Sequence, residues 1–269
     1  MPIFLDKSDI KLSKEFENNG YIIKDIVKRS TIKKIESYFI KFIYRELKIK
    51  KKFKPQFILN NIHKFLDKID LNTFRLKLIN HINKSLEFKK LYFSIAQPYL
   101  DILVGNELVM QNRISLSVQI PNDVSSLLPV HSDVWSGDSP FETVVWIPLV
   151  DCFNTKSMYI LPPKKYKKFE KKFSEGLKKD SEHLFQYIKK DVKWIKIKFG
   201  QILIFNQSLP HGNRVNIEKE TRWSMNCRFK SIFTPFGDKK IGEFFEPITL
   251  RKISEIGMRY KLPKINEKS

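Results

Sequence analysis

LLPVHSDVWSGDSPFETVVWIPLVD, residues 127–151, is the stretch on which the fold turns. His131 and Asp133 stand one residue apart near its start, and an apolar run at 144–150 reads as a buried strand. On an extended chain, side chains at i and i+2 project to the same side, so an imidazole and a carboxylate arrive together. Two such donors can hold two adjacent corners of a metal ion. A His-X-Asp pair alone is weak evidence, because solvated histidines and aspartates are common in loops. The rest of the chain decides the matter.

A second histidine follows at position 211, in FNQSLPHGNR. It comes after an apolar strand at 202–205 and falls at a Pro-His-Gly turn, which predicts an exposed imidazole at a strand end. As a third donor, His211 would complete two histidines and one carboxylate on one face of a metal, with the opposite corners open. The bland alternative is a surface turn histidine. The next strand, TRWSMNCRF, separates the two. Arg222, Ser224, Asn226 and Arg228 share one face, and Trp223, Met225, Cys227 and Phe229 share the other. On a simple sheet the polar face would be solvated. In a barrel roofed by helices it points into a cavity instead. Two of only nine arginines on that face suit recognition of a carboxylate, which the planar guanidinium fork matches and lysine does not.

The chain has 269 residues, enough for a sizeable core, and 42% of them are hydrophobic. Its start, MPIFLDKSDIKLSKEF, lacks a basic-then-apolar signal pattern, and its longest apolar run is too short to span a bilayer. Two cysteines, Cys152 and Cys227, exclude a disulfide framework and a cysteine zinc site. These features lead us to expect a soluble cytoplasmic protein. The net charge of +21 is nearly all lysine, 41 against nine arginines. Lysines recur along surface helices such as KKYKKFEKKF, which reads as a solvated surface. A field of this sign would also steer an anionic substrate such as a nucleotide sugar. A nucleic-acid groove would show interleaved arginines and aromatics, and none is evident.

Residues 1–105 read as mostly helical. Asn18-Asn19-Gly20 ends a first helix, 21–23 is a strand, and Ser30 caps a helix with Ile32, Ile35, Phe39, Phe42 and Ile43 at helical spacing. A lysine-rich loop spans 47–56, and amphipathic helices follow at 71–82 and 86–104, the second with a kink site at Pro98. His63 and His81 lie here as packing or surface histidines. From 106 the texture turns to strands. ELVMQNRISLSVQIP alternates, with Ile114, Leu116, Val118 and Ile120 on one side and Arg113, Ser115, Ser117 and Gln119 on the other. A strand at 157–162, a basic helical insertion at 163–190 and two strands meeting at Phe199-Gly200 complete the core, with a mixed tail over 236–269. We expect one domain over 1–269, its β core at 106–235 flanked by N-terminal helices. The class is α+β with a sandwich or barrel centre.

His131-X-Asp133, then His211, then Arg222 eleven residues later with Ser224 beyond it, resembles the pattern of Fe(II)/2-oxoglutarate-dependent dioxygenases. The helical N-terminal part and SMYILPPKKY are similar to the phytanoyl-CoA dioxygenase branch. PVHSDVWSGDSPFE, WIPLVDC, KSMYILPP, FNQSLPHGNRVN, ETRWSMNCRFK and EFFEPIT further resemble a bacterial group from sporadic carbohydrate clusters, related to an oxygenase of streptomycin biosynthesis. The likeness covers about half the chain densely and the N-terminal third loosely.

The resemblance implies a double-stranded β-helix of jelly-roll or cupin type. It implies Fe(II) on His131, Asp133 and His211, with 2-oxoglutarate and O2 as co-substrates. Arg222 would pair with the distal carboxylate of 2-oxoglutarate, with Ser224 beside it. Asn213 stands where the branch often has a serine touching the co-substrate. Gln119 and Ser117 are contact candidates by strand parity, and Trp135, Trp146 and Arg228 are candidates for the substrate-pocket wall. The intact Asp133 argues against halogenation, because related halogenases replace that carboxylate to admit a halide. The expected partner is a small carbohydrate-type molecule that can carry negative charge, with a homodimer through the N-terminal helices as an option. Two other readings stand beside it: the same chemistry on a macromolecule or nucleic acid, and a non-catalytic binding module.

Overall fold

The computed structural model describes residues 4–66, 71–176 and 180–262. Helix α1 (Lys7–Asn19) ends at Gly20, whose φ of 76° is the left-handed cap that glycine adopts without strain. Strand β1 (Tyr21–Asp25) leads into α2 (Arg29–Glu46), which buries Ile32, Ile35, Phe39, Phe42 and Ile43, the stripe its spacing predicts. Ser30 is not its cap: the helix opens two residues earlier, after Lys28, with no side-chain capping bond. The basic loop is also shorter than expected, because Pro55 starts α3 (Pro55–Asn60), where a proline at the first helical position is favoured. Helices α4 (Leu71–Asn83) and α5 (Leu86–Leu103) follow, and α5 runs on through Pro98.

The alternating stretch after residue 106 divides into β2 (Leu108–Gln111) and β3 (Ser115–Gln119). Both lie in series along one edge of the long β9 (Arg222–Ser231). On its other edge β9 pairs with β4 (Thr143–Pro148), which pairs in turn with β7 (Gln201–Asn206), and β7 with β1. With β10 (Phe245–Pro247) beyond β2 this makes an antiparallel sheet of seven strands. A second sheet holds β6 (Lys193–Trp194), β5 (Met158–Ile160) and β8 (His211–Asn213). In place of the closed barrel expected from the resemblance, the described residues form two antiparallel sheets. The insertion at 163–190 is α6 (Pro163–Gly176) and α7 (Ser181–Ile188), whose Phe169, Phe173 and Ile188 bury against Tyr159 and Leu161. The tail adds α8 (Lys252–Arg259).

The two faces of β9 explain the architecture. Trp223, Met225, Cys227 and Phe229 are fully buried on the outer face. There the Trp223 ring meets Phe39 and Phe74 edge-on, at 6.0 and 6.3 Å between centroids. Tyr92 of α5 donates to the Val145 carbonyl at 2.8 Å. The helices therefore roof the large sheet, and the polar face of β9 turns inward to a cavity, as the strand parity requires. Lys164, Lys165, Lys167 and Lys168 on α6 are exposed, as a solvated basic surface predicts. His63 (2.9 Å from Thr221 Oγ1) and His81 (stacked on Tyr38) are packing residues. Among the described residues no helix is long and apolar enough to cross a membrane.

Candidate metal centre and its cavity

The backbone sets the two histidines opposite each other. The His131 N–H donates to the His211 carbonyl at 3.0 Å, and the His211 N–H donates to the His131 carbonyl at 2.8 Å. His211 is thus a buried strand residue in β8 rather than the exposed turn residue its Pro-His-Gly context suggests. Gly212 permits the close approach: a Cβ there would lie 2.8 Å from both the Leu128 carbonyl oxygen and the Tyr159 hydroxyl.

Each ring is oriented in the same way. His131 Nδ1 lies 2.8 Å from the Pro129 carbonyl, and His211 Nδ1 lies 2.8 Å from the Leu209 carbonyl. A carbonyl only accepts, so Nδ1 carries the proton in the neutral ring and Nε2 keeps a lone pair. Both Nε2 atoms face Asp133 Oδ1, at 3.4 Å from His131 and 3.9 Å from His211. All three donor atoms fall within 4.8 Å of one another. Three lone pairs converging on one point call for a cation, and the fixed Nδ1–H tautomer is the one that metal-ligating histidines use. The set fits a metal ion.

Electrostatics agree with this geometry. Burial opposes charge on Asp133, but the His131 hydrogen bond and the His211 and Arg228 charges outweigh it and hold the carboxyl well below its usual range. Burial pushes His211 down to about 4, and the neighbouring His131 adds to the effect. His211 is therefore a neutral donor at neutral pH.

The donors open on a cavity of about 460 Å3 between the two sheets. Arg222, Ser224, Asn226 and Arg228 line it from β9, and their cross-strand neighbours Ser117, Ser115, Trp146 and Val144 line it beside them. Arg222 is buried, with Nη1 donating to the Ser157 carbonyl (3.1 Å) and Nη2 to Ser117 Oγ (2.8 Å). Burial pushes its guanidinium down to about 10. Its Nε, Ser224 Oγ, Ser157 Oγ and Gln119 Oε1 are all buried without a hydrogen-bond partner. Arg222 also has no acidic partner among the described residues. An unpaired buried cation ringed by unsatisfied polar atoms is costly unless something anionic occupies the site.

Other expected contacts fall differently. Asn213 lines the cavity, but its Oδ1 accepts from the Leu128 N–H at 2.7 Å and its amide reaches the Ser126 carbonyl, so it braces the 126–128 segment. Gln119 pairs across from Arg222 yet does not line the cavity, because its amide turns to the Arg214 carbonyl at 2.7 Å. Trp146 is part of the wall. Trp135 is not: it sits in the one-turn helix Asp133–Ser136, packed against Phe173 of α6. Arg228 lines the cavity but directs its guanidinium at Asp133.

Sequence reading missed Arg75, which enters the wall from α4 and binds Asp123 at 3.1 Å, and it missed the buried pair Gln207 and Glu142 behind Arg228. A rare arginine on an otherwise amphipathic helix was the available signal for Arg75. Gln207 and Glu142 had none, because they sit 65 positions apart in strand-edge loops.

No protein-family model matches this chain, and no curated protein matches it. Its fold, however, is similar to solved structures. The nickel complex of the non-heme monooxygenase ThoJ superposes with a TM-score of 0.56 at 12% identity, covering 96% of this chain and 89% of ThoJ. SnoK, a non-heme alpha ketoglutarate dependent carbocyclase from nogalamycin biosynthesis, gives 0.55 at 13%, covering 91% and 97%. EctD from S. alaskensis, solved with 2-oxoglutarate and 5-hydroxyectoine, gives 0.56 at 13%, covering 87% and 80%. The chain therefore has the fold of a set of non-haem oxygenases that includes 2-oxoglutarate-dependent members.

Proposed function

We propose that the protein is a non-haem Fe(II)- and 2-oxoglutarate-dependent oxygenase that acts on a small carbohydrate-type molecule. One observation carries this reading: a two-histidine, one-carboxylate donor set shares its cavity with a buried arginine that lacks an acidic partner. A plain binding module has no need of both. His131, Asp133 and His211 would hold the ion, and Arg222 with Ser224 would receive the far carboxylate of 2-oxoglutarate. When bound, the pair supplies oxidation of a C–H bond by O2 while 2-oxoglutarate is decarboxylated to succinate.

The chain's own residues supply placement and dryness. The Nδ1–H bonds to Pro129 and Leu209 fix the orientation of both imidazoles, with Nε2 aimed at one point. Arg222, already desolvated, forms a stronger ion pair with a carboxylate than it could in water. Trp146, Phe205 and Met158 give the cavity its apolar wall, and Ser115, Ser117, Ser125, Ser126 and Asn226 give it a polar one. A wall of hydroxyls and amides beside an aromatic suits a hydroxyl-rich molecule, and a volume of about 460 Å3 suits a small one. This favours a small-molecule substrate over a macromolecule.

The test is anaerobic titration of the metal-free protein with Fe(II) and 2-oxoglutarate, following the weak visible charge-transfer band of the chelate. A band in the parent, absent in His211→Ala, supports the cofactor assignment, and a panel of sugars is then screened for succinate release. No band in the parent returns the chain to the binding-module reading.

A further inference from the structure

Arg228 forms an ion pair with the carboxylate donor of the metal centre. From the cavity face of β9 its Nη2 lies 2.9 Å from Asp133 Oδ2, and its Nε lies 3.3 Å from the same oxygen. Nε also donates to Gln207 Oε1 at 2.9 Å. Gln207 is fully buried, and its amide nitrogen donates to Glu142 Oε2 (2.9 Å) and to the Ser139 carbonyl (3.1 Å). The amide is thereby fixed with its oxygen toward Arg228. Glu142 is held in turn, its Oε1 accepting the Ser139 N–H at 3.0 Å. The guanidinium is thus anchored on both sides.

We propose that Arg228 is a positioning residue that confines Asp133 to one metal-facing oxygen, an inference that rests on the metal-centre reading above. Asp133 has two oxygens, and only Oδ1 faces the histidine Nε2 atoms. Oδ2 belongs to the guanidinium. With Oδ2 released, rotation of the carboxylate offers both oxygens to the ion and takes a second corner. An octahedral ion with three protein donors keeps three corners, enough for a two-oxygen chelator and one small molecule. A fourth protein donor leaves one corner too few. Arg228 keeps that corner open through the direction of its fork. A lysine would bring the charge without the fork.

The competing account is that Arg228 only neutralises a buried carboxylate, in which case any cation at 228 would serve. The test loads the parent, Arg228→Lys and Arg228→Gln with Co(II) under anaerobic conditions. The visible absorption of Co(II) reports coordination, and each protein is then titrated with 2-oxoglutarate. Circular dichroism checks the fold. We expect both variants still to bind Co(II), because the released carboxylate keeps its metal-facing oxygen and adds a second. Their Co(II) absorption should differ from the parent before 2-oxoglutarate is added, and they should bind 2-oxoglutarate at least about tenfold more weakly. Arg228→Lys behaving like the parent would make the residue a charge neutraliser and overturn the proposal. Unchanged spectra in both variants would overturn it equally. Should the Gln variant not fold, Gln207→Leu removes the anchor and leaves the ion pair in place, and it must shift the Co(II) spectrum in a folded protein for the proposal to stand. A parent that binds neither Co(II) nor 2-oxoglutarate sinks the metal-centre reading itself, and this inference with it.

Discussion

The indole N–H of Trp223 donates to the Leu59 carbonyl at 2.8 Å, tying the middle strand of the large sheet to the end of α3. The same ring packs on Phe39 and Phe74. Its neighbour Arg222 is carried on the opposite face, so the outer packing fixes where the inner arginine stands. Trp223→Ala removes a fully buried aromatic and should cost about 3–5 kcal/mol in urea unfolding. Trp223→Phe should cost about 1–3 kcal/mol, largely through the carbonyl left unpaired. Equal losses in the two would mean that the hydrogen bond, rather than the ring, makes the junction.

Arg222 is expected to govern co-substrate affinity without governing the metal. Arg222→Ala should weaken 2-oxoglutarate binding by roughly 10–100-fold, the equivalent of about 1.5–3 kcal/mol for a charged hydrogen bond. Arg222→Lys should recover only part of this, because an ammonium lacks the fork. Isothermal titration with Fe(II) or Co(II) alone should give parent-like affinity in both.

Gly212 lies where a side chain would strike the Leu128 carbonyl and the Tyr159 hydroxyl. Gly212→Ala should push β8 away from the 127–133 segment and separate the two imidazoles. Metal affinity should fall by about tenfold or more, with only a small change in helix content by far-UV circular dichroism. Metal binding at parental strength would show that the two segments can part without disturbing the donors.

Lys230 is fully buried, donating to the Thr234 carbonyl at 2.7 Å and lying over the Phe236 ring at 3.3 Å. Burial pushes its ammonium down to about 8. Its folded value lies below its unfolded value of 10.5, so between the two the unfolded chain binds the extra proton. This group therefore destabilises the fold below about pH 8, and the penalty fades as pH rises toward 10.5. In urea unfolding, the parent should gain stability relative to Lys230→Met across that range, by at most about 3 kcal/mol. A constant gap between the two proteins from pH 7 to 10 would show that Lys230 does not titrate in this window.

The strand parity of TRWSMNCRF was readable because its period is two and its apolar face is unbroken: Trp223, Met225, Cys227 and Phe229 had one destination under the helices. The donor triad was readable because His131 and Asp133 stand two positions apart and His211 follows a strand. Exposure was not readable. Pro210-His211-Gly212 has turn composition, yet pairing with residue 131 buries it as strand. The roles of Gln119, Asn213 and Arg228 were hidden for a common reason. Parity tells which face a side chain leaves from, and the partner it reaches is set by loops far away in sequence: Arg214, Leu128 and Asp133 respectively. Trp135 packs against Phe173 because the chain turns into a short helix directly after Ser132, which ends the strand there.

The pairing of residue 131 with residue 211 closes a loop of 80 residues, so the donor set belongs to the slow, nonlocal part of folding. Before that closure the nascent chain offers a passing ion only His131 and Asp133, too few donors to hold it. A complete donor set therefore exists only once this long-range pairing has formed.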